Sequence, residues 1–183
     1  MTNVTKSYVT AVTKVIEVII GAEVAYEVDE NFLREAIRMD TAAALRQAAG
    51  MDTDDRAGLA ATIPFAASLG IEVDEVTPQR VTAAMSWAEE RCTTGGIVHG
   101  GALMAFADTI GALCAVANLP PGAGTATIES KTNFFRAVRS GVVTATSKPL
   151  HVGRTTIVVQ TNLADDRGKL VAQVTQTQAV LVE

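Results

Sequence analysis

Alternation of apolar and polar positions predicts most of the elements in the C-terminal two thirds of the chain. Residues 80–87 alternate strictly, which predicts a β-strand with one buried face. Five further runs have strand character: 70–76, 125–135, 141–151, 155–164 and 169–182. The turn Thr77-Pro78-Gln79 separates the first two strands and predicts that they form a hairpin.

One long segment departs from this alternation. Residues 99–117 are apolar on nearly every side and rich in Gly and Ala, which predicts a helix buried against a sheet. A second helix is expected over 56–69, interrupted around Pro64 and ended by Gly70. The order of helix, two strands, long helix and four strands predicts an α+β fold. In that fold one antiparallel sheet wraps around the long central helix.

The first fifty residues have a different character. A helix is expected over 29–49, and Gly50 stops it. The polar run 51–55 then breaks the pattern. We therefore divide the chain into an N-terminal extension, residues 1–50, and one domain, residues 51–183. No chemistry is assigned to the extension.

Composition excludes several classes of protein. The 183 residues are 48% hydrophobic and 19% charged, which fits a compact globular protein. A net charge of −5 with scattered Lys and Arg argues against a general nucleic-acid binder. Two cysteines, Cys92 and Cys114, favour neither a disulfide framework nor a Cys-based metal site. The apolar run 15–20 is too short for a membrane span, so a cytoplasmic protein without membrane contact is expected.

Asp108 is the most informative residue of the central helix. It is the only ionisable group between His99 and Asn118, and an unpaired buried charge costs several kcal/mol. Asp108 could simply cap or hydrogen-bond at a subunit contact. The sharper interpretation is a general base or nucleophile that faces a water-poor cleft. Apolar surroundings would raise its pKa, whereas any donor pointed at it would lower it.

Two glycines mark the start of the same helix. Free N–H groups at Gly100 and Gly101, together with the helix dipole, can bind an oxyanion, although tight packing alone could also explain the pair. Gly100 and Asp108 lie eight residues apart, which is ~12 Å along the axis and roughly 80° around it. One carbonyl cannot touch both within one subunit. If both act on it, the protein is a dimer with two sites across its interface.

These residues match a known pattern. Segment 95–117, with His99-Gly100-Gly101 and an Asp nine residues after the His, resembles the hotdog-fold acyl-CoA thioesterases of the phenylacetic-acid-degradation (PaaI-like) type. The resemblance runs over about 57–182 and includes 69–71, 133–136, 151–155 and 168–173. It implies hydrolysis of an acyl-CoA to a free acid and CoA, without metal or other cofactor. It also implies a homodimer, and homotetramers are common in such families.

The resemblance assigns roles at the helix. Asp108 is the carboxylate that activates water or attacks the carbonyl, and the Gly100 amide of the partner subunit polarises the thioester oxygen. His99 shapes the turn before it. His99 could also be taken for the base, although a structural role is favoured.

The resemblance also points to two threonines. The family usually has Asn or Gln six residues before the His, where this chain has Thr93, which offers no amide. Thr94 is the alternative if the loop shifts. A further polar partner is expected on the following strand, best matched by Thr127, with Thr125 as the alternative. Both could also be ordinary strand threonines.

CoA phosphates need donors, and arginine suits them because it binds phosphate in a bidentate manner. Arg136, Arg139 and Arg154 are the candidates. Gly153-Arg154-Thr155 is preferred because Gly allows close approach, whereas Arg139 reads equally well as a solvated surface residue.

Two other functions stay open. A hotdog enoyl or 3-hydroxyacyl thioester hydratase usually needs a His beside the carboxylate, and His151 lies in a distant turn. A non-catalytic acyl-CoA-binding protein is kept open by Thr93. Four large apolar residues could line a substrate tunnel, but a place in the core is favoured: Phe65, Leu69, Met85 and Phe106.

Overall fold

The computed structural model describes residues 63–182. The elements in chain order are α1 (Pro64–Ser68), β1 (Ile71–Val76), β2 (Val81–Ser86), a 3₁₀ turn (Glu89–Arg91), α2 (Gly100–Val116), β3 (Gly124–Phe134), β4 (Val142–Val152), β5 (Thr156–Ala164) and β6 (Leu170–Leu181). The helix predicted over 29–49, the division at residue 50 and the first part of the helix predicted over 56–69 lie outside the described residues.

The strands form one antiparallel sheet in the order β1-β2-β4-β5-β6-β3. The helix α2 lies across one face and contacts every strand. The expected α+β hotdog architecture, an antiparallel sheet around a long helix, is therefore confirmed, as is the β1–β2 hairpin. No helix among residues 63–182 is long and apolar enough to span a membrane.

The core lies between α2 and the sheet. Phe106 and Ile110 of α2 are completely buried, and the alternating residues of β2 meet them from the sheet. The core positions of Leu69, Met85 and Phe106 are confirmed. The core position of Phe65 is wrong, because its side chain is 62% exposed. The helix α1 has only five residues and buries Ala66 alone, so its other faces stay outside the core.

The strand β3 forms one edge of the sheet and pairs only with β6. It has 11 residues, and none of them is fully buried. Its register with β6 shifts between Thr127 and Glu129, which marks a bulge. An open edge of this length offers a row of backbone donors and acceptors for another strand.

Candidate functional site

His99 caps the start of α2. Its side-chain Nδ1 accepts a hydrogen bond from the Gly101 amide at 2.8 Å. Its carbonyl accepts from Ala102 N at 2.9 Å and from Leu103 N at 3.2 Å. Because Nδ1 is an acceptor here, the neutral imidazole carries its proton on Nε2. This contact gives His99 a structural task at the helix start.

The Gly100 amide is the donor that this cap leaves free. A helix leaves its first four N–H groups without i to i−4 partners, here those of residues 99–102. His99 accepts from two of them, Gly101 and Ala102, and its own N–H donates to Arg91 O. Within residues 63–182 the Gly100 N–H donates to no protein acceptor. The Phe134 ring lies over Gly100, with its Cζ 3.3 Å from where a Cβ would stand. A free amide beside an exposed ring can hold a carbonyl oxygen.

Gly101 is small for a local reason. A Cβ there would stand 2.9 Å from His99 Nδ1 and would press on the capping ring. The second glycine of the motif therefore serves the cap, whereas the first leaves an amide accessible.

Asp108 lies in the middle of α2 and is half-buried. The Gln176 side chain of β6 donates from Nε2 to Asp108 Oδ1. Burial raises the pKa of the Asp108 carboxyl, and hydrogen bonds from Gln176 and Thr127 lower that pKa in part. The group is therefore a carboxylate that burial makes more basic, which suits proton transfer.

Thr127 is joined to Asp108 through a short polar chain on β3 and β6. Gln178 Nε2 donates to Thr127 Oγ1 at 2.9 Å, so the Thr127 hydroxyl proton is free for the carboxylate. Thr125 Oγ1 lies 3.1 Å from Gln178 Oε1. Thr127 is therefore in contact with Asp108, whereas Thr125 is linked to Asp108 only through Gln178 and Thr127.

Gln176 and Gln178 are members of the site that sequence reasoning missed. Both are buried, although the chain around them reads as an ordinary strand. They share the inward face of β6 with Val174 and Val180. The sequence does carry a signal for them: the two glutamines occupy alternate positions, on the same strand face as the two valines. Polar side chains on a buried face need hydrogen-bond partners, so such a pattern indicates a buried polar contact.

Thr93 lies in a turn of its own. Its amide donates to Ile97 O at 2.7 Å, and its hydroxyl lies 3.3 Å from Thr94 O. Thr93 and Thr94 are both exposed, and the hydrogen bonds of Thr93 do not reach Asp108. Thr93 therefore makes no hydrogen bond to Asp108 of the same chain.

Arg139 also serves the loop before the helix. Its Nη1 donates to Gly95 O at 3.1 Å, and Trp87 Nε1 donates to Gly96 O at 3.1 Å. Val98 N donates to the Val138 carbonyl at 2.9 Å. These contacts fix the glycine-rich approach to α2, so Arg139 has a positioning role.

The other CoA-binding candidates lie at opposite ends of the sheet. The Arg136 amide bonds to Val171 O at 3.2 Å, near the end of β3. Gly153, Arg154 and Thr155 form the tight β4–β5 turn, where Thr155 O accepts from Val180 N at 2.9 Å. Nine residues of β6 separate these anchors, which is about 30 Å. One chain therefore does not bring Arg136 and Arg154 to the same phosphate.

Metal-ligating residues do not gather in the part of the chain that the structure describes. There, no group of three or more His, Cys, Asp or Glu side chains is placed to hold a metal ion.

Comparison with known families and proteins agrees with this architecture. Residues 95–172 match the family model of the thioesterase superfamily. A Mycobacterium tuberculosis protein, provisionally named an esterase, is 31% identical over 123 residues, which cover 66% of this chain and 88% of that protein. A Bacillus subtilis protein with the same provisional name is 34% identical over 116 residues, covering 62% of this chain and 91% of the relative.

Solved structures give the same result. A thioesterase of Haemophilus influenzae superimposes with a TM-score of 0.67 at 28% identity, over 72% of this chain and 92% of the other. A mutant thioesterase of Pseudomonas aeruginosa superimposes with a TM-score of 0.66 at 28% identity, over 72% and 95% of the two chains.

Proposed function

This chain belongs to the thioesterase superfamily, and we propose on that premise that it hydrolyses an acyl-CoA thioester to a free acid and CoA. One observation carries the proposal. The long helix holds a half-buried carboxylate, Asp108, and a helix-start amide, Gly100, that has no protein acceptor in residues 63–182. Thioester hydrolysis needs a base or nucleophile and a donor for the oxyanion, and these two groups supply them.

Asp108 and the Gly100 amide account for each bond and proton change in thioester hydrolysis. As a general base, Asp108 takes a proton from water while the water oxygen bonds to the thioester carbon. The carbonyl oxygen gains negative charge, which the Gly100 amide stabilises. The C–S bond then breaks, and the proton held by Asp108 passes to the CoA thiolate. As a nucleophile, an Asp108 oxygen would instead bond to the thioester carbon and displace CoA thiolate, which leaves an acyl anhydride. Water would then hydrolyse the anhydride to the acid and the Asp108 carboxylate, and one proton of that water would go to the thiolate.

A dimer would complete each site. Gly100 lies near Phe134 at one end of β3, whereas Asp108 lies beside Thr127 toward the other end. Pairing two copies antiparallel through the open β3 edge reverses one helix relative to the other. Gly100 of the partner subunit would then approach Asp108 of this chain.

The same pairing supports a shared CoA site. The turn that carries Arg154 lies at the Thr125 end of β3, and Arg136 follows the opposite end. In an antiparallel dimer, Arg136 of the partner subunit and Arg154 lie at the same end of the joined sheet. Gly153 and Thr155 would shape the turn around the phosphates.

A thiol-release assay tests the proposal. Purified protein is incubated with acyl-CoAs that carry aromatic, short, medium and long acyl groups, and free CoA is measured. We expect turnover by the wild type and a loss of at least about 100-fold in Asp108→Ala, which is typical for removal of a general base. Equal rates in both proteins, or no free thiol from any acyl-CoA, would refute the proposal.

Labelled water can identify a nucleophilic Asp108. After a single turnover in H₂¹⁸O with enzyme in excess, ¹⁸O in the Asp108 carboxylate would mean that an anhydride formed and that water opened it at the Asp108 carbonyl. Label in the product acid alone fits a general base, and it also fits an anhydride opened at the acyl carbon. Mass spectrometry of the peptide that contains Asp108 measures the label.

The exposed turn at Thr93 favours one second candidate, a non-catalytic acyl-CoA-binding protein. Tight acyl-CoA binding without thiol release would favour it. Hydration of a crotonyl-type thioester would instead favour the hydratase.

A further inference from the structure

The Gln176 side-chain amide, beneath α2, is hydrogen-bonded through its nitrogen but, among the described residues, not through its oxygen. Its side chain is completely buried, and its Nε2 donates to Asp108 Oδ1. The same nitrogen lies 3.4 Å from the Asp108 carbonyl and 3.4 Å from Thr127 Oγ1. Its Oε1 is buried and has no hydrogen-bond partner among residues 63–182. Most buried side-chain polar atoms have a hydrogen-bond partner, so this unpaired oxygen needs an explanation.

The helix α2 has a glycine, Gly111, where a side chain would collide with the Gln176 amide. Gly111 lies one turn after Asp108, and a Cβ there would overlap Gln176 Oε1. Glycine weakens a helix interior, so Gly111 needs a structural reason. The reason is room for the Gln176 amide.

We propose that Gln176 is a positioning residue for the Asp108 carboxylate, and that Gly111 is the helix position that admits it. This inference rests on the proposed thioester hydrolysis, in which Asp108 touches the reacting water or carbonyl. The amide holds Oδ1, so the carboxylate cannot rotate freely about its Cβ–Cγ bond. It also favours the charged form of the half-buried carboxyl and so offsets part of the effect of burial on its pKa.

Gln176→Met tests the inference, because Met preserves volume and removes the donor. We expect kcat to fall about 10- to 100-fold, as is typical when a supporting partner of an active group is lost. KM should change much less. Without the donor the pKa of Asp108 rises, and the reaction needs the ionised form. The acidic limb of the kcat/KM profile should therefore move to higher pH.

Thr161→Val is the matched control. Thr161 is also completely buried under α2, and its hydroxyl bonds to Ser147 Oγ at 3.0 Å, away from Asp108. Its loss should lower the melting temperature without moving the acidic limb. An equal shift of the limb in both variants would mean that Gln176 acts through general packing, and would overturn the inference.

Gly111→Ala provides a second variant that leaves Gln176 chemically intact. The new methyl group displaces the amide, so kcat and the acidic limb should change as in Gln176→Met. In a Gln176→Ala background the same methyl group enters vacated space and should cause no further loss of kcat. Additive losses would show that Gly111 acts independently and would overturn its assigned role.

A direct titration separates this inference from the proposed function. The carboxyl carbon of Asp108 is followed by ¹³C NMR against pH in the wild type and Gln176→Met, which needs no turnover. A higher pKa in the variant supports the positioning role even if no acyl-CoA is hydrolysed. Identical titration curves would overturn the inference even if hydrolysis is confirmed.

Discussion

Two opposing influences act on the pKa of Asp108. Burial raises the pKa of its carboxyl and is the larger influence, while Gln176 and Thr127 lower that pKa as donors. Gln176 stabilises the charged form through Nε2, but its buried Oε1 lacks a partner among the described residues. An unpaired buried carbonyl costs about 1–3 kcal/mol. Such a local cost is common where a group is held for chemistry rather than for stability.

Asp108→Asn should separate chemistry from stability. The folded-state pKa of Asp108 is raised above its unfolded-state value. Stability is therefore lost as pH rises from the unfolded-state pKa to the folded-state pKa, and the loss is complete above it. The Asn oxygen can still accept from Gln176. We therefore expect thiol release to fall at least about 100-fold while the melting temperature at pH 7 rises.

The pH dependence of that stability difference provides the control. Below the unfolded-state pKa both side chains are neutral, so melting temperatures of the two proteins should converge in acid. Thermal unfolding between acidic and neutral pH measures this. A variant that is less stable than the wild type at pH 7 would mean that the hydrogen bonds outweigh burial.

The role of His99 can be tested by comparing a substitution that keeps the N-cap acceptor with one that removes it. His99→Ala loses the acceptor for the Gly101 amide, and loss of an N-cap typically costs about 1 kcal/mol. Asn is a good N-cap, so His99→Asn should recover most of the stability and more activity than His99→Ala. If His99 were the catalytic base, both variants would lose activity equally. Thermal unfolding and thiol release decide between these outcomes.

The start of α2 combines an N-cap, His99, with one backbone donor, the Gly100 N–H, that no acceptor in residues 63–182 uses. His99 has an extended backbone, with φ −63° and ψ 136°, which suits a residue that precedes proline. Proline is favoured at the first helical position because the N–H there has no intrahelical partner. The amide of Gly100 can therefore be deleted without breaking the helix.

Gly100→Pro should abolish oxyanion stabilisation and leave the fold intact. We expect kcat to fall about 100- to 1,000-fold, as for the loss of one oxyanion donor, with a melting temperature close to that of the wild type. Gly100→Ala is the matched control, because it adds a Cβ against Phe134 but keeps the amide. Equal losses in both would assign the effect to crowding at Phe134 rather than to the donor.

The elements were predictable from two patterns: alternation marks a strand with one buried face, and an apolar run rich in Gly and Ala marks the buried helix. The helix expected over 99–117 is observed at Gly100–Val116, and the strand expected over 80–87 at Val81–Ser86. The pairing of buried glutamines with Asp108 was not predictable, although their place on a buried face was, and Thr127 was predicted. It depends on the β3–β6 register and on the bulge after Thr127, and neither leaves a mark in the apolar pattern. Gln176 meets Asp108 across 68 residues of sequence, a pairing that only the assembled sheet defines.

One chain has both groups that the proposed chemistry needs, but they do not lie in one place. Gly100 and Asp108 occupy different turns of α2. The strand β3 pairs with β6 on one side, and its outer edge pairs with no strand in the described part of the chain. Two copies joined at that edge would hold two composite sites. In the proposed mechanism such a dimer would be required for catalysis.

Complementation between inactive variants tests this arrangement. Asp108→Asn and Gly100→Pro should each be inactive alone. In a heterodimer, the intact Asp108 of one chain faces the intact Gly100 amide of the other, so one of the two sites is restored. Random reassortment makes half the dimers mixed, so about one quarter of wild-type activity should return. A refolded mixture of Asp108→Asn with Asp108→Ala is the control and should stay inactive. No recovery from verified heterodimers would show that each site is built within one chain.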